Sequence, residues 1–469
     1  MRETVRRTVS QIGITFLFAL ALSGCMVGPN YKRPPVDAPP TFRAAPAADS
    51  TSASFGDQKW ADVFQDPQLQ KLIREALEKN YDVRIAATRI LQAQAQLTIT
   101  RGDQLPSAAV GASANDTRTA GSKLFGAINT SANELEVGFQ WNLDFWGKYR
   151  RATEAARDQL LASKWAQQEV IMTTVSGVAS AYYTLREQDL QLQISRQTLA
   201  SNQDSLKLTQ LLSDHGRTSL LDVRQAEQLV YAASEAIPSL EKQIAQQENL
   251  ISILVGENPA DVARGLELTA QPHTPVVPAG LPSSLLERRP DIREVEAQLM
   301  AANAQIGVAK AAYYPNITLT GDGGFQSVAL SNLFTGPAGF WSLAGQLTQP
   351  LYAGGQLRGA VRLSEAQKEQ LVLTYQQTIQ GAFRDVSDAL IAYSKDQDFR
   401  KQQELLTNAA KDASRLSNLR YKGGATSYLE VLDAETRQYA AELTLAQAQL
   451  NEMLDYVQLY HALGGGWDH

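Results

Sequence analysis

The chain repeats itself. A shift of 209 positions carries Tyr81-Asp82-Val83-Arg84 onto Pro290-Asp291-Ile292-Arg293, Ala95-Gln96-Leu97 onto Ala304-Gln305-Ile306, and Pro106 onto Pro315. A shift of 208 carries Gly216-Arg217-Thr218-Ser219-Leu220-Leu221-Asp222-Val223 onto Gly424-Ala425-Thr426-Ser427-Tyr428-Leu429-Glu430-Val431, and Ala226-Glu227 onto Ala434-Glu435. An offset that drifts by one residue over so long a stretch marks duplication of a whole folding unit, because solenoid arrays repeat at about 20 to 50 residues. Both copies are therefore expected to serve function in similar ways.

The N-terminus reads as a secretory signal over residues 1–24. Arg2, Arg6 and Arg7 precede the apolar run Ile12 to Leu22, and small residues Ser23 and Gly24 follow. Cys25 is the one cysteine in the sequence, so no intramolecular disulfide can form. Leu22-Ser23-Gly24-Cys25 resembles the bacterial lipobox, which implies that Cys25 is lipidated and becomes the mature N-terminus. Met26 stands where Asp commonly retains such proteins in the inner membrane, so the outer membrane is the expected address. Without the signal, 40 basic and 48 acidic residues remain, a balance that argues against nucleic acid as a partner. Residues 25–59, with Pro29, Pro34, Pro35, Pro39, Pro40 and Pro46, read as a lipidated, extended tether.

Beyond the tether, 60–270 and 271–469 form the two structural repeats. Apolar residues keep helical spacing from Asp66 to Thr100 and again from about Asp291 to Ala311, stopping before Pro106 and Pro315. The period then changes to two. Leu135, Val137, Phe139, Trp141, Leu143 and Phe145 alternate with Glu134, Glu136, Gly138, Gln140, Asn142 and Asp144, which predicts a strand over 134–145. Strands are also expected at about 107–117, 316–326 and 341–351, joined in pairs by Gly/Ser/Asn/Thr-rich loops. Proline-free helical stretches follow at about 150–213 and 356–422, and return helices at about 217–255 and 426–460, after turns at Gly216 and Gly423-Gly424. About 63 helical residues would reach roughly 95 Å.

Strands of this length suit a tilted membrane span. In lipid every backbone group must be paired, which demands a closed barrel. Four strands cannot close one, since the smallest barrels use about eight. Three copies would supply twelve, with the odd-numbered face of 134–145 toward lipid. The even face of the others (Asn316, Thr318, Thr320, Asp322; Ser342, Ala344, Gln346, Thr348) would line a wet lumen. Trp141, Phe145, Trp146 and Tyr149, with Tyr313, Tyr314 and Tyr352, are placed at the strand ends as an interfacial girdle. The alternative is that these aromatics are ordinary core at strand–helix junctions.

Several segments together resemble a known family: Cys25-Met26-Val27-Gly28-Pro29-Asn30-Tyr31, Trp60-Ala61-Asp62-Val63-Phe64-Gln65-Asp66-Pro67, Arg289-Pro290-Asp291-Ile292-Arg293, and Tyr421-Lys422-Gly423-Gly424 leading into Leu429-Glu430-Val431-Leu432-Asp433-Ala434. The chain resembles the outer-membrane efflux lipoproteins of the TolC superfamily, OprM-like (NodT) branch, over essentially the whole mature length. The resemblance implies a homotrimeric duct, a 12-stranded membrane β-barrel continued by a long α-helical tunnel. Its implied partners are a periplasmic adaptor and an inner-membrane transporter of the resistance-nodulation-division type. It further implies that the glycine turns are the periplasmic tips, where adaptors dock and the pore closes. Residue by residue, these are Asp214, Gly216, Arg217, Thr218 and Ser219, and Tyr421, Gly424, Thr426 and Ser427. Some relatives carry an acidic residue where this chain has Thr426.

No enzyme is expected. The histidines His215, His273, His461 and His469 are scattered, and no His-Glu-x-x-His, Gly-x-Ser-x-Gly or phosphate-loop motif occurs. Gly321-Asp322-Gly323-Gly324 lies inside an alternating strand and does not open a helix. No metal or cofactor is expected, and outer-membrane lipid is the expected surroundings. A protein-secretion duct shares the implied fold, as an alternative to small-molecule efflux. A periplasmic coiled-coil lipoprotein would leave the amphipathic strands without a purpose.

Overall fold

The computed structural model describes residues 26–43, 54–121, 126–272 and 277–467. The expected signal at 1–24 and the expected lipid site Cys25 lie outside the described residues. After a helical turn at Trp60–Val63 the elements run α1 (Pro67–Lys79), α2 (Tyr81–Gly102), β1 (Ser107–Thr119), β2 (Ile128–Leu143), α3 (Lys148–Asp214) and α4 (Leu220–Val255). The second copy follows as α5 (Pro282–Arg288), α6 (Pro290–Ala311), β3 (Asn316–Ser327), β4 (Gly339–Thr348), α7 (Gln356–Lys422) and α8 (Tyr428–Ala462). The copies match in length: α2 and α6 have 22 residues each, α3 and α7 have 67 each.

Two compact units emerge. Of the described residues, one gathers 26–35, 89–121, 126–164 and 294–376; the other gathers 36–43, 54–88, 165–272, 277–293 and 377–467. Each draws on both copies, so neither coincides with one repeat.

The first unit holds a four-stranded antiparallel sheet in the order β1-β2-β3-β4. Its register aligns Val110 with Val137, Gly323 and Trp341, and Ala108 with Phe139, Gly321 and Leu343. Paired residues share a face. Leu135, Val137, Phe139, Trp141 and Leu143 therefore lie on one face with Ile317, Leu319, Phe325, Trp341, Leu343 and Leu347. The opposite face carries Gln140 beside Thr320 and Ala344, Asn142 beside Thr318 and Gln346, and Asp322 beside Ser342. The apolar face is widely exposed, with Leu343 at 79% and Trp341 at 77%. β1 and β4 are both edges.

One expectation shifts at the end of β2. The strand stops at Leu143, so Asp144 and Phe145 fall outside it. The reason is a competing use of Asp144, whose carboxylate accepts from the backbone N–H of Tyr149 (3.1 Å) and Arg150 (2.9 Å) and so opens α3. β4 likewise ends at Thr348, short of the expected Leu351.

In this unit residues 27–33, the start of the expected tether, are held against the body. Buried Arg151 donates to the carbonyls of Val27 (3.2 Å) and Gly28 (3.4 Å) and to Asn30 Oδ1 (2.8 Å). Arg33 pairs with Glu296 at 2.5 Å, and Asn303 donates to the Pro29 carbonyl at 2.8 Å. Gly28 (φ 102°) comes so close to Gly307 that a Cβ would sit 2.5 Å from its Cα.

The second unit has its own core. Phe55 packs against Tyr456 and Tyr460 at centroid distances of 4.9 and 5.3 Å, and Phe64 meets Tyr460 edge-on at 5.7 Å. Asp66 caps α1, with Pro67 at its first position. Fully buried, its Oδ2 also accepts from Tyr182 (2.9 Å), Gln271 (2.9 Å) and the Leu266 N–H (2.8 Å). The helix expected from Asp66 to Thr100 is divided at Asn80. The Asn80 side chain accepts from Asp82 N–H at 2.7 Å, starting α2, and donates to the Leu254 carbonyl at 2.7 Å. α4 runs through Pro238 without ending.

Candidate functional site

The two helix reversals of the second unit are built alike. At the first, α3 ends at Asp214 and Gly216 adopts φ 70°, a left-handed value that suits glycine. The N–H of Arg217 then donates to the Leu212 carbonyl at 2.8 Å, satisfying an end-of-helix acceptor. Ser219 opens α4: it accepts from Asp222 N–H (3.2 Å), while the Asp222 carboxylate accepts from Ser219 N–H (3.1 Å), a capping box. The Thr218 hydroxyl donates to the same carboxylate. Burial works against ionisation of Asp222, but these hydrogen bonds outweigh it and hold its pKa below the usual range.

The second reversal repeats the device with one difference. Gly424 again has φ 70°, and Ala425 N–H donates to the Arg420 carbonyl at 2.9 Å. Thr426 donates to Glu430, the counterpart of Asp222, and Glu430 pairs with Arg420 at 2.6 Å. Ser427 starts α8 with no side-chain cap. The longer Glu430 side chain is engaged by Arg420 and Thr426 instead of closing the box. At this turn, then, the acidic charge stands at Glu430, four positions beyond Thr426.

Sequence alone does not single out the packing beneath these turns. Tyr421, Tyr428, Val431 and Ala226 form a buried cluster, covered by Leu206, Leu212 and Leu432. The two tyrosine rings meet edge-on at 5.3 Å. Glu435 is buried nearby, accepting from Asn418 at 2.9 Å and Ser205 at 3.4 Å. Burial raises its pKa, with those hydrogen bonds opposing. The alignment of Ala226-Glu227 with Ala434-Glu435 flagged the position but not its burial. Around the turns Leu211, Leu220, Leu221, Leu419 and Leu429 are exposed.

The expected girdle aromatics lie at the ends of the strands in the first unit. Trp146 donates to the Pro315 carbonyl at 2.9 Å and stacks on Tyr314 at 4.8 Å; Trp141 donates to the Gln104 carbonyl at 3.0 Å. Tyr313, Tyr314 and Tyr352 are exposed and Phe145 half-buried. An indole or phenol with a satisfied polar tip and an open apolar body suits a lipid–water boundary.

Burial, then the neighbouring Arg289, pushes the His461 imidazole down to about 4, so it is neutral at pH 7. Among the described residues no three His, Cys, Asp or Glu side chains gather to hold a metal, and no helix is long and apolar enough to cross a membrane.

Known proteins match this chain along its length. The antibiotic efflux pump outer membrane protein ArpC of Pseudomonas putida is 36% identical over 96% of this chain and 94% of its own. The cation efflux system protein CusC of Escherichia coli O6:H1 is 33% identical over 97% of this chain and 98% of its own. Among solved structures, the open-state MtrE outer membrane channel of Neisseria gonorrhoeae superposes with a TM-score of 0.86 at 32% identity, over 94% of this chain and 99% of that one. The outer-membrane channel OprN gives a TM-score of 0.88 at 29% identity, over 94% and 100%. The family model for outer membrane efflux proteins matches twice, at residues 72–257 and 281–465, once in each copy. The chain therefore belongs to the outer membrane efflux protein family, and its place is the bacterial outer membrane.

Proposed function

We propose that three copies of this chain assemble into the outer-membrane exit duct of a tripartite efflux pump, passively conducting small toxic compounds handed over by a periplasmic adaptor and an inner-membrane transporter. The observation that carries this reading is the sheet. One face is apolar and exposed, the other polar, and both edge strands leave backbone groups unpaired. Such a sheet cannot stand alone in hydrocarbon. Pairing β4 of one protomer with β1 of the next removes both edges, and three protomers give a 12-stranded barrel with a polar lumen.

In this reading the repeats 60–270 and 271–469 each supply two strands and one reversal. The reversals at Asp214 to Ser219 and Tyr421 to Ser427 are the adaptor-docking tips and gate, and their exposed leucines offer the apolar contact surface. Cys25 carries acyl chains, residues 25–59 link them to the body, and Trp141, Phe145, Trp146, Tyr313, Tyr314 and Tyr352 mark the membrane boundary. The transporter is of the resistance-nodulation-division type and sets substrate choice; the duct performs no catalysis. Relatives named for antibiotics, toluene and cations support a small-molecule cargo over a secreted protein.

Removing the chain from its host should raise intracellular accumulation of a fluorescent transporter substrate to the level seen without the transporter. Accumulation that stays at wild-type level, with no second exit duct present, contradicts the proposal.

A further inference from the structure

A cavity of about 520 Å³ opens in the sheet-bearing unit beside the point where the described chain begins. Met26, Asn30, Arg101, Arg150, Arg151 and Arg157 line it. Two of these arginines are committed. Arg151 holds the N-terminal segment and pairs with Glu154, also on the wall, at 2.8 Å. Arg150 donates to the Asp144 carboxylate at 3.3 Å and to its carbonyl at 3.0 Å. Arg101 and Arg157 are exposed and make no hydrogen bond or salt bridge among the described residues. Of the charged groups that line the cavity, four are arginines and one, Glu154, is acidic; Asp144 behind Arg150 and buried Asp158 beside Arg157 are not part of the lining.

We propose that this cavity binds the phosphate of an anionic phospholipid headgroup. Guanidinium forks match phosphate oxygens, and two unengaged ones facing a shared space can close on a single phosphodiester. The volume is in the range of small-ligand sites and accommodates a phosphate with a glycerol. The position argues for a lipid source. Arg150 lies in the first turn of α3, seven residues past Leu143, where β2 ends. Between them Trp146 stacks on Tyr314, and its carbonyl accepts from Val27 N–H at 3.1 Å. Strand ends with interfacial aromatics lie at headgroup depth. The inference rests on the sheet being membrane-spanning, as proposed above.

Native mass spectrometry of the whole detergent-solubilised assembly tests it, with phosphatidylglycerol, phosphatidylcholine and inorganic phosphate as probes. The wild type should retain phosphatidylglycerol in preference to phosphatidylcholine, and inorganic phosphate at millimolar levels should not displace it. Arg101→Gln/Arg157→Gln, at exposed positions that leave packing unchanged, should weaken retention about tenfold or more through loss of two charge-assisted contacts. Equal retention of both lipids, or equal retention by wild type and variant, overturns the proposal. Displacement by inorganic phosphate assigns the cavity to a soluble anion and overturns the lipid source. The same spectrum gives the oligomer mass: an intact trimer without lipid preference sinks this inference alone, whereas a monomer sinks the membrane reading with it.

Discussion

At Gly216 and Gly424 a Cβ would meet nothing within 4 Å, yet both have φ 70°. A side chain there fits in space but strains the backbone, by about 1–3 kcal/mol for each non-glycine residue held in that region. Gly216→Val with Gly424→Val should therefore remodel both reversals while the sheet and the rest of each unit stay folded. Export should be lost and adaptor crosslinking at the turns abolished, with the oligomer unchanged on native gels; normal export would place docking and gating elsewhere. Cys25→Ser should abolish N-terminal acylation, read as an unprocessed mass, and leave barrel insertion intact because the strands anchor far more strongly than acyl chains. Asp66 offers a pH test. Burial alone would raise its pKa, but hydrogen bonds from Gln271, Tyr182 and the Gln68 and Leu266 N–H groups hold it below 3.8. Its contribution is thus complete above that value and is lost as pH falls through the lower folded one. Asp66→Asn should cost about 1.5–3 kcal/mol for each charge-assisted bond not replaced, and should flatten the acid limb of a stability–pH profile measured by the helical circular dichroism signal. A variant as stable as wild type at pH 7 would show the cap to be dispensable.

The elements were legible to different degrees, for physical reasons. β2 announces itself because twelve residues alternate without exception, but β1 carries only Val110 among small residues, and its faces become clear through pairing with β2. The break at Asn80 is silent in the apolar pattern, since the helical period continues on both sides. Strand and helix compete for Asp144, and the cap wins. The glycines of the reversals were visible, whereas the burial of Tyr428 and Glu435 depends on side chains brought in from α3 and α7. The face assignment can be tested at mid-strand. Leu343→Arg, on the apolar face, should impair assembly by about 2–4 kcal/mol if it lies near the bilayer midplane, while its neighbour Ser342→Arg should assemble and alter conductance. Equal heat-resistant oligomer yields from the two variants would falsify the assignment.

For the whole molecule the duplication matters most. Helices α2 and α6, and α3 and α7, agree in length to the residue, yet each compact unit mixes both copies. The copies therefore stabilise one another instead of folding as separate domains. What neither copy provides is a partner for the edges β1 and β4; in the proposed trimer, other protomers provide it. Cysteines placed at Gly111 of β1 and Ala344 of β4, both on the polar face of the sheet, joined by a bismaleimide in intact outer membranes, measure this directly. A closed barrel of three protomers should give a denaturing-gel ladder that ends at three protomers, with the trimer dominant. A product confined to single chains, or a ladder that runs on past three, would contradict it.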